Sequence, residues 1–406
     1  MGALDHVARE AAGRIIAALS ARFRNLDLAE EAFADACEAA ARLWPVEGEP
    51  ADPAAWLYRA AQRRAIDALR RTEVRRRLLP DPPEPDPTPE ELAIDDGRMI
   101  PDERLRLIFV CCHPAIAPDA RAALTLRLVC GLSARAIAEA FLVPEATLLQ
   151  RLTRAKRKIA AAGVPFHIPG PAEWSERLEA VLSTLEIAYS RAHADAAGAG
   201  PQAGFAAEIL ALTETLAAML PEHGEVLGLA ALVRYAEARR PARVDAAGAM
   251  VPLSEQNPAL WRRSFIEDAD RYLHRASNLG ALGARALNAA IHGVWCARAS
   301  LDQPAPWPTI LLLYDTMLKQ RGDVVVRLNR AVALAEVAGP QAALDELDSL
   351  ANARLEGFQP WHAIRADLLR RLNREIESRA AYDRAIALSQ GPAERAWLSR
   401  RRSQLD

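Results

Sequence analysis

The chain has 406 residues, 51% of them hydrophobic and 26% charged, which exceeds one ordinary domain and supplies enough apolar side chain for several packed cores. Its formal net charge is only -2 at pH 7, which excludes a uniformly basic or acidic chain but says nothing against nucleic acid, because locally segregated charge is what a polyanion meets. No run approaches the roughly 18 uninterrupted apolar residues of a membrane helix and no charged, apolar, small-residue leader opens the chain, so the expectation is a cytoplasmic protein.

In chain order, the first informative segment is 56–77, WLYRAAQRRAIDALRRTEVRRR. Arg59, Arg63, Arg64, Arg70, Arg71, Arg75, Arg76 and Arg77 face only Asp67 and Glu73 there, with Trp56 and Tyr58 at its start. Arginines beside aromatics suit a melted or single strand, the cations following phosphates and the rings stacking on bases. The same residues also fit an amphipathic core helix in which Trp56, Leu57, Ala60, Ile66 and Leu69 pack. Residues 80–102 hold seven prolines and eight acidic residues against one arginine. Such a segment cannot bury enough apolar area to offset chain entropy, and an extended, acidic linker is expected.

Residues 133–158 predict two short helices joined by a tight turn. Ser133 can cap the first, with Ile137, Ala140 and Phe141 inward, and Val143-Pro144 stops it because the residue before proline avoids helical geometry. The second is expected to start at Pro144, whose missing N–H costs nothing at a first helical position, with Glu145 at the positive end of the dipole. Leu148, Leu152, Ala155 and Ile159 recur at four, three and four, an apolar stripe. Five cations (Arg151, Arg154, Lys156, Arg157, Lys158) against one acid lie in 145–158. A helix-turn-helix places such a second helix in the DNA major groove.

From about residue 171 the chain is alanine- and leucine-rich with helical periodicity, broken at 198–201, 241–242, 304–306 and 339–340. Ala331, Ala343 and Leu347 recur as Ala366, Ser378 and Tyr382, each 35 residues on, the kind of period found in tetratricopeptide repeats. Trp295, Trp307, Tyr314, Trp361 and His362 could line a pocket, although aromatics in a helical stripe more often pack a core. Cys37, Cys111, Cys112, Cys130 and Cys296 have no disulfide-like spacing, and Cys111-Cys112-His113 lacks the second pair a zinc site needs, so burial is the expected role. No Gly-rich phosphate loop, HExxH or GxSxG occurs, and the expectation is no enzyme, no catalytic residue, no metal and no cofactor.

The stretches DLAEEAFADACEAAARLWP (27–45) and DPAAWLYRAAQRRAIDALRR (52–71) resemble region 2 of extracytoplasmic-function sigma factors, and 103–166 resembles their region 4. The phrases CCHPAIAPDARAALTLRLVCGLS and AFLVPEATLLQRLTRAKRKIAAAGVPF are similar to the subgroup with a long tetratricopeptide-like extension. The resemblance implies an all-α chain with region 2 in 1–79, a linker in 80–102, region 4 in 103–168 and a helical regulatory extension in 169–406. It implies an alternative sigma factor, with core RNA polymerase (clamp of the largest subunit, flap of the second-largest) and promoter DNA as partners, and neither membrane nor small-molecule substrate. By position it implies core binding for Asp27, Glu30, Glu31 and Asp35. For Trp56, Arg59, Arg63 and Arg64 it implies -10 recognition. Leu149, Gln150 and Thr153 match positions facing -35 base edges, and Arg151, Arg154, Lys156 and Arg157 belong to the same -35 surface. Ala34 and Arg63 stand where the family often has Gln and Asn. The rival expectations are a stand-alone helix-turn-helix regulator with a helical sensor domain and a tetratricopeptide scaffold.

Overall fold

A computed structural model describes residues 3–77, 103–141, 143–164, 174–194, 203–320, 324–350, 355–389 and 391–405. The expected linker at 80–102 and the break at 198–201 lie outside these residues. The protein is all-α: among the described residues the only strand-like feature is an isolated bridge between Val244 and Met250. The chain divides into two compact units, Met1–Ala192 and His193–Asp406.

The first unit holds α1 (Ala3–Phe23), α2 (Leu26–Glu47), α3 (Pro53–Arg77), α4 (Arg104–Cys111), α5 (Pro118–Leu128), α6 (Ala134–Phe141), α7 (Glu145–Ala161) and all but the last two residues of α8 (Trp174–Ala194). The Asn25 side chain caps α2 by accepting the Leu28 N–H at 3.0 Å, and Asp52 does the same for the Ala55 N–H at the start of α3, at 2.9 Å; each satisfies an amide that has no partner within its own helix. The buried side of α2 is nearly all alanine (Ala29, Ala32, Ala36, Ala39, Ala40) with Leu26 and Trp44 at its ends, which lets α1 and α3 approach closely. Helix α4 is buried over consecutive positions, Leu107 through Cys111, as expected of a helix packed on all sides. Gly13 of α1 lies against the end of α5: a Cβ there would stand 1.8 Å from the Val129 carbonyl oxygen. Only glycine permits that approach.

The second unit holds α9 (Ala203–Met219), α10 (Gly224–Arg239), α11 (Arg263–Asn278), α12 (Ala284–Cys296), α13 (Trp307–Gln320), α14 (Val324–Val337), α15 (Pro340–Ser349), α16 (Gln359–Arg371), α17 (Glu375–Leu388) and α18 (Pro392–Ser403). Helix α10 is buried from Val226 to Arg239, so its polar side chains need partners. Arg234 donates to Thr213 Oγ1 at 3.3 Å and lies over the Tyr272 ring at 4.6 Å, and Tyr235 donates to Asp270 at 2.5 Å. Glu225 accepts the Arg285 backbone N–H at 3.2 Å with both carboxylate oxygens, an anion at the positive start of α12. Buried Arg298 donates to the carbonyls of Ser254, Leu301 and Gln303, pinning the loops around the end of α12.

Helices α14 and α15 form one helical pair and α16 and α17 a second, with both helix starts displaced by 35 residues between pairs (324 to 359, 340 to 375). The positions of the sequence repeat are the packed ones. Ala331, Ala366, Ala343, Ser378, Leu347 and Tyr382 are each 0% exposed, and Ser378 Oγ donates to the Ala366 carbonyl at 2.9 Å. Trp295 and Trp307 pack edge-to-face at 4.9 Å in a cluster with Ile310 and Tyr314, and Trp361 packs against the core of the two helical pairs. Trp295 is buried, and Trp307, Tyr314 and Trp361 are half-buried against these clusters.

Candidate nucleic-acid interface

Helices α5, α6 and α7 pack into one small body within the first unit. Gly131, in the left-handed region at φ 66°, turns the chain after α5, a conformation glycine adopts without a Cβ penalty. Helix α6 buries Ile137 and Ala138 and half-buries Phe141; the expected inward Ala140 has its side chain outside the described residues. Its first turn closes by the Ile137 N–H donating to the Ser133 carbonyl at 3.1 Å. The second helix begins one residue later than expected. Pro144 has extended ψ (139°) and caps α7 rather than occupying its first turn, and its carbonyl accepts from Thr147 and Leu148.

The apolar stripe of α7 is buried as spaced: Leu148, Leu152, Ala155 and Ile159. Burial of that stripe fixes the rotation of the helix, and the opposite side is therefore determined. Leu149 is 48% exposed, and Gln150, Thr153, Arg154 and Arg157 are exposed with it, while Arg151 and Lys156 are half-buried. Thr153 Oγ1 donates to the Leu149 carbonyl at 2.9 Å, so its hydroxyl proton is engaged within the helix and its methyl and oxygen lone pairs remain for a ligand. Lys158 reaches the Ala115 carbonyl at 3.3 Å.

Lys156 departs from this row. Its ammonium donates to Asp27 and, at 2.9 Å, to Glu30 Oε2 of α2. The other Glu30 oxygen accepts from Arg127 Nε at 3.0 Å, and Arg127 Nη1 donates to the Leu132 carbonyl at 2.9 Å. Two residues expected to bind polymerase, Asp27 and Glu30, thus meet one expected to bind DNA. Burial pulls the Lys156 ammonium toward the neutral form, but its hydrogen bonds to Asp27 and Glu30 outweigh that, and its pKa lies above the ordinary lysine value. Glu31 and Asp35 are exposed. Glu38, seven residues from Glu31 and on the same side of the helix, is also exposed. No local signal pairs Lys156 with residues 129 and 126 positions away.

On α3 the exposed residues include Arg59, Arg63 and Arg64, with Trp56 half-buried and packed edge-on to Trp44 at 5.6 Å. Trp56, Arg59 and Arg63 are spaced by three and four and share a side of the helix. The buried stripe differs from the expected one. Leu57, Tyr58, Ala61 and Ala65 are buried, whereas Ala60, Ile66 and Leu69 are half-buried, so Tyr58, at 2% exposure, is a core residue and is withdrawn from base stacking. Its aromatic ring outweighs Ala60 in the apolar area gained by rotation of the helix.

Among the described residues no group of three or more His, Cys, Asp or Glu side chains is arranged to hold a metal ion. Cys111, Cys112, Cys130 and Cys296 are buried and Cys37 half-buried. Burial pushes the thiols of Cys111 and Cys112 up, and Cys112 Sγ donates to Thr184 Oγ1 at 3.4 Å. These are packing residues.

A family model for sigma-70 region 4 matches residues 106–159, a span that holds Leu149, Gln150, Arg151, Thr153, Arg154, Lys156 and Arg157. Residues 177–277 match a family of unknown function, DUF6596, covering most of α8, α9, α10 and most of α11. An uncharacterized protein of Rhizobium meliloti (strain 1021) is 40% identical over 418 residues, spanning 100% of this chain and 96% of that protein. The chain belongs to that protein's family. This family member carries a sigma-70 region 4 and with it a sigma-factor-like role in DNA binding and regulation, in a class of domain that interacts in general with RNA polymerase and promoter DNA. No solved structure matches the chain. No described helix is long and apolar enough to cross a membrane.

Proposed function

We propose that the protein is an alternative sigma subunit of bacterial RNA polymerase, of the extracytoplasmic-function kind with a tetratricopeptide-like extension, acting in the cytoplasm. The observation that carries this reading is the coincidence of the sigma-70 region 4 match at 106–159 with a helix whose buried stripe turns Leu149, Gln150, Thr153, Arg154 and Arg157 outward. On this reading Leu149, Gln150 and Thr153 meet -35 base edges, and Arg151, Arg154, Lys156 and Arg157 hold phosphates; phosphate contacts set position and affinity while base contacts choose sequence. Trp56, Arg59, Arg63 and Arg64 engage the melted -10 element, for which an aromatic wall beside cations suits an extruded base. Asp27, Glu30, Glu31 and Asp35 dock on the polymerase clamp, and region 4 on the flap.

The organisation follows: region 2 in 1–79, the acidic linker in 80–102, region 4 in 103–168 and a regulatory extension in 169–406. Support for a tetratricopeptide-like extension is the 35-residue displacement between the two helical pairs and the burial of matching positions. Stacked helical pairs offer surfaces for other proteins or for the chain's own activity control.

The test is a pulldown of the full chain with sigma-free core polymerase, followed by run-off transcription over a fragmented genomic library. Stable core binding with discrete start sites is expected. Retention of duplex DNA without any core binding would replace this reading with a stand-alone regulator.

A further inference from the structure

The Glu30 carboxylate is held from two sides. Arg127 of α5 takes one oxygen at 3.0 Å and Lys156 of α7 the other at 2.9 Å, and Lys156 also meets Asp27. The central pair is largely removed from water: the side chains of Lys156 and Glu30 are 18% and 15% exposed, against 61% for Asp27. Screening by solvent is therefore weaker than for a surface pair. A second contact joins the same helical groups without charge: α1 meets the end of α5 at Gly13, where a Cβ would lie 1.8 Å from the Val129 carbonyl. A backbone approach this close belongs to a fitted interface rather than to a chance crossing of long side chains.

We infer that the first unit is a latched form, in which α7 is held on the acidic side of α2 and must be released before that side can dock on polymerase. The inference rests on the sigma reading for its partner and adds the regulation of the same site. The ion pairs have two natural competitors of opposite sign. A basic polymerase surface competes for Asp27 and Glu30, and promoter phosphates compete for Lys156. Each ligand favours the open form, so by linkage each raises the affinity of the other through the same equilibrium. The outward row of Gln150, Thr153, Arg154 and Arg157 stays exposed in the latched form, leaving an initial foothold for DNA while Lys156 is engaged.

Two substitutions loosen the latch while every residue assigned to DNA or polymerase keeps its own side chain. Gly13→Ala drives a Cβ into the Val129 carbonyl, and Arg127→Ala removes one arm from Glu30. In the full chain, hydrogen exchange over residues 26–47 and 145–161 and the affinity for core polymerase are measured together. If the open form is about one tenth of the wild-type population, both variants exchange faster in these helices and bind core up to about tenfold more tightly. Faster exchange with unchanged core affinity overturns the latch, as does exchange in Arg127→Ala equal to wild type; should Gly13→Ala fail to fold, Arg127→Ala decides alone. If neither wild type nor variants bind core, the sigma reading is what fails, and exchange in Arg127→Ala still decides whether the latch exists.

Discussion

Helix α7 and the arginine-rich helices of the second unit carry similar side chains and use them oppositely. In the second unit many of the arginines that link helices are tied to carboxylates. Arg330 bridges Asp315 and Glu346, Arg365 meets Asp348, Arg371 meets Glu336, and Arg401 and Arg402 meet Glu255 and Asp383. On α7, Arg154 and Arg157 project into solvent above a buried stripe, and the cation that does find carboxylates, Lys156, finds them on α2. Counting cations therefore separates nothing. What separates a nucleic-acid footprint from a structural network is where the nearest acids sit once the helices have packed.

Stability in the second unit rests on packed clusters such as that of the two helical pairs, with exposed ion pairs a minor addition. Tyr382→Ala sharpens this most, since Tyr382 is 0% exposed and central to the cluster formed by the two helical pairs. Emptying such a site costs about 3–5 kcal/mol, which chemical denaturation of the full chain reads as a lower midpoint for the second unit. A loss below about 1 kcal/mol, the range of a surface ion pair, would put Tyr382 on a level with the pairs around it and break the distinction.

Much of this was legible in local sequence. The four, three, four spacing of Leu148, Leu152, Ala155 and Ile159 fixed which side of α7 is buried, and the 35-residue echo of Ala331, Ala343 and Leu347 marked the packed positions of both helical pairs. The rotation of α3 was not legible, because Tyr58 carries both a large apolar ring and a hydroxyl, and its burial depends on neighbours that periodicity does not name. The pairing of Glu30 with Arg127 and Lys156 was out of reach because it joins residues 97 and 126 apart. Likewise, the need for glycine at position 13 comes from a tertiary approach to Val129, which no turn signal announces.

The opposite side of the comparison is tested by Arg154→Ala with Arg157→Ala. On the proposed reading these solvent-facing cations serve DNA affinity and contribute little to folding, so thermal stability should be unchanged within about 0.5 kcal/mol. The dependence of log affinity on log salt for a promoter duplex should become shallower by roughly 0.9 for each phosphate that is no longer neutralised. An unchanged salt slope would mean that this row is merely a solvated face.

A smaller effect is expected from the pair Arg371 and Glu336, which links α16 to α14 with side chains 26% and 33% exposed. A double-mutant cycle with Arg371→Ala and Glu336→Ala should return a coupling of about 0.2–1 kcal/mol. Coupling well above that range would move ion pairing in the second unit from accessory to principal, and the contrast with Tyr382 would collapse.

The smallest effect is the one that isolates charge from packing. Arg374 grips Glu377 with two parallel hydrogen bonds at 2.7 and 2.6 Å, and this holds the Glu377 carboxyl below its ordinary value of 4.5. A carboxylate whose folded pKa is depressed stabilises the fold above its unfolded value and loses that contribution as pH falls through the folded one. The pair therefore acts fully at neutral pH and fades only on the acid side, below 4.5. Carbon-13 titration of Glu377 in the full chain should place its midpoint under that value, and Arg374→Ala should return it upward while leaving the α16 and α17 packing intact. A wild-type midpoint at 4.5 would mean that solvent erases even a bidentate arginine pair on this surface, and that the second unit's arginines differ from those of α7 in geometry but not in energy.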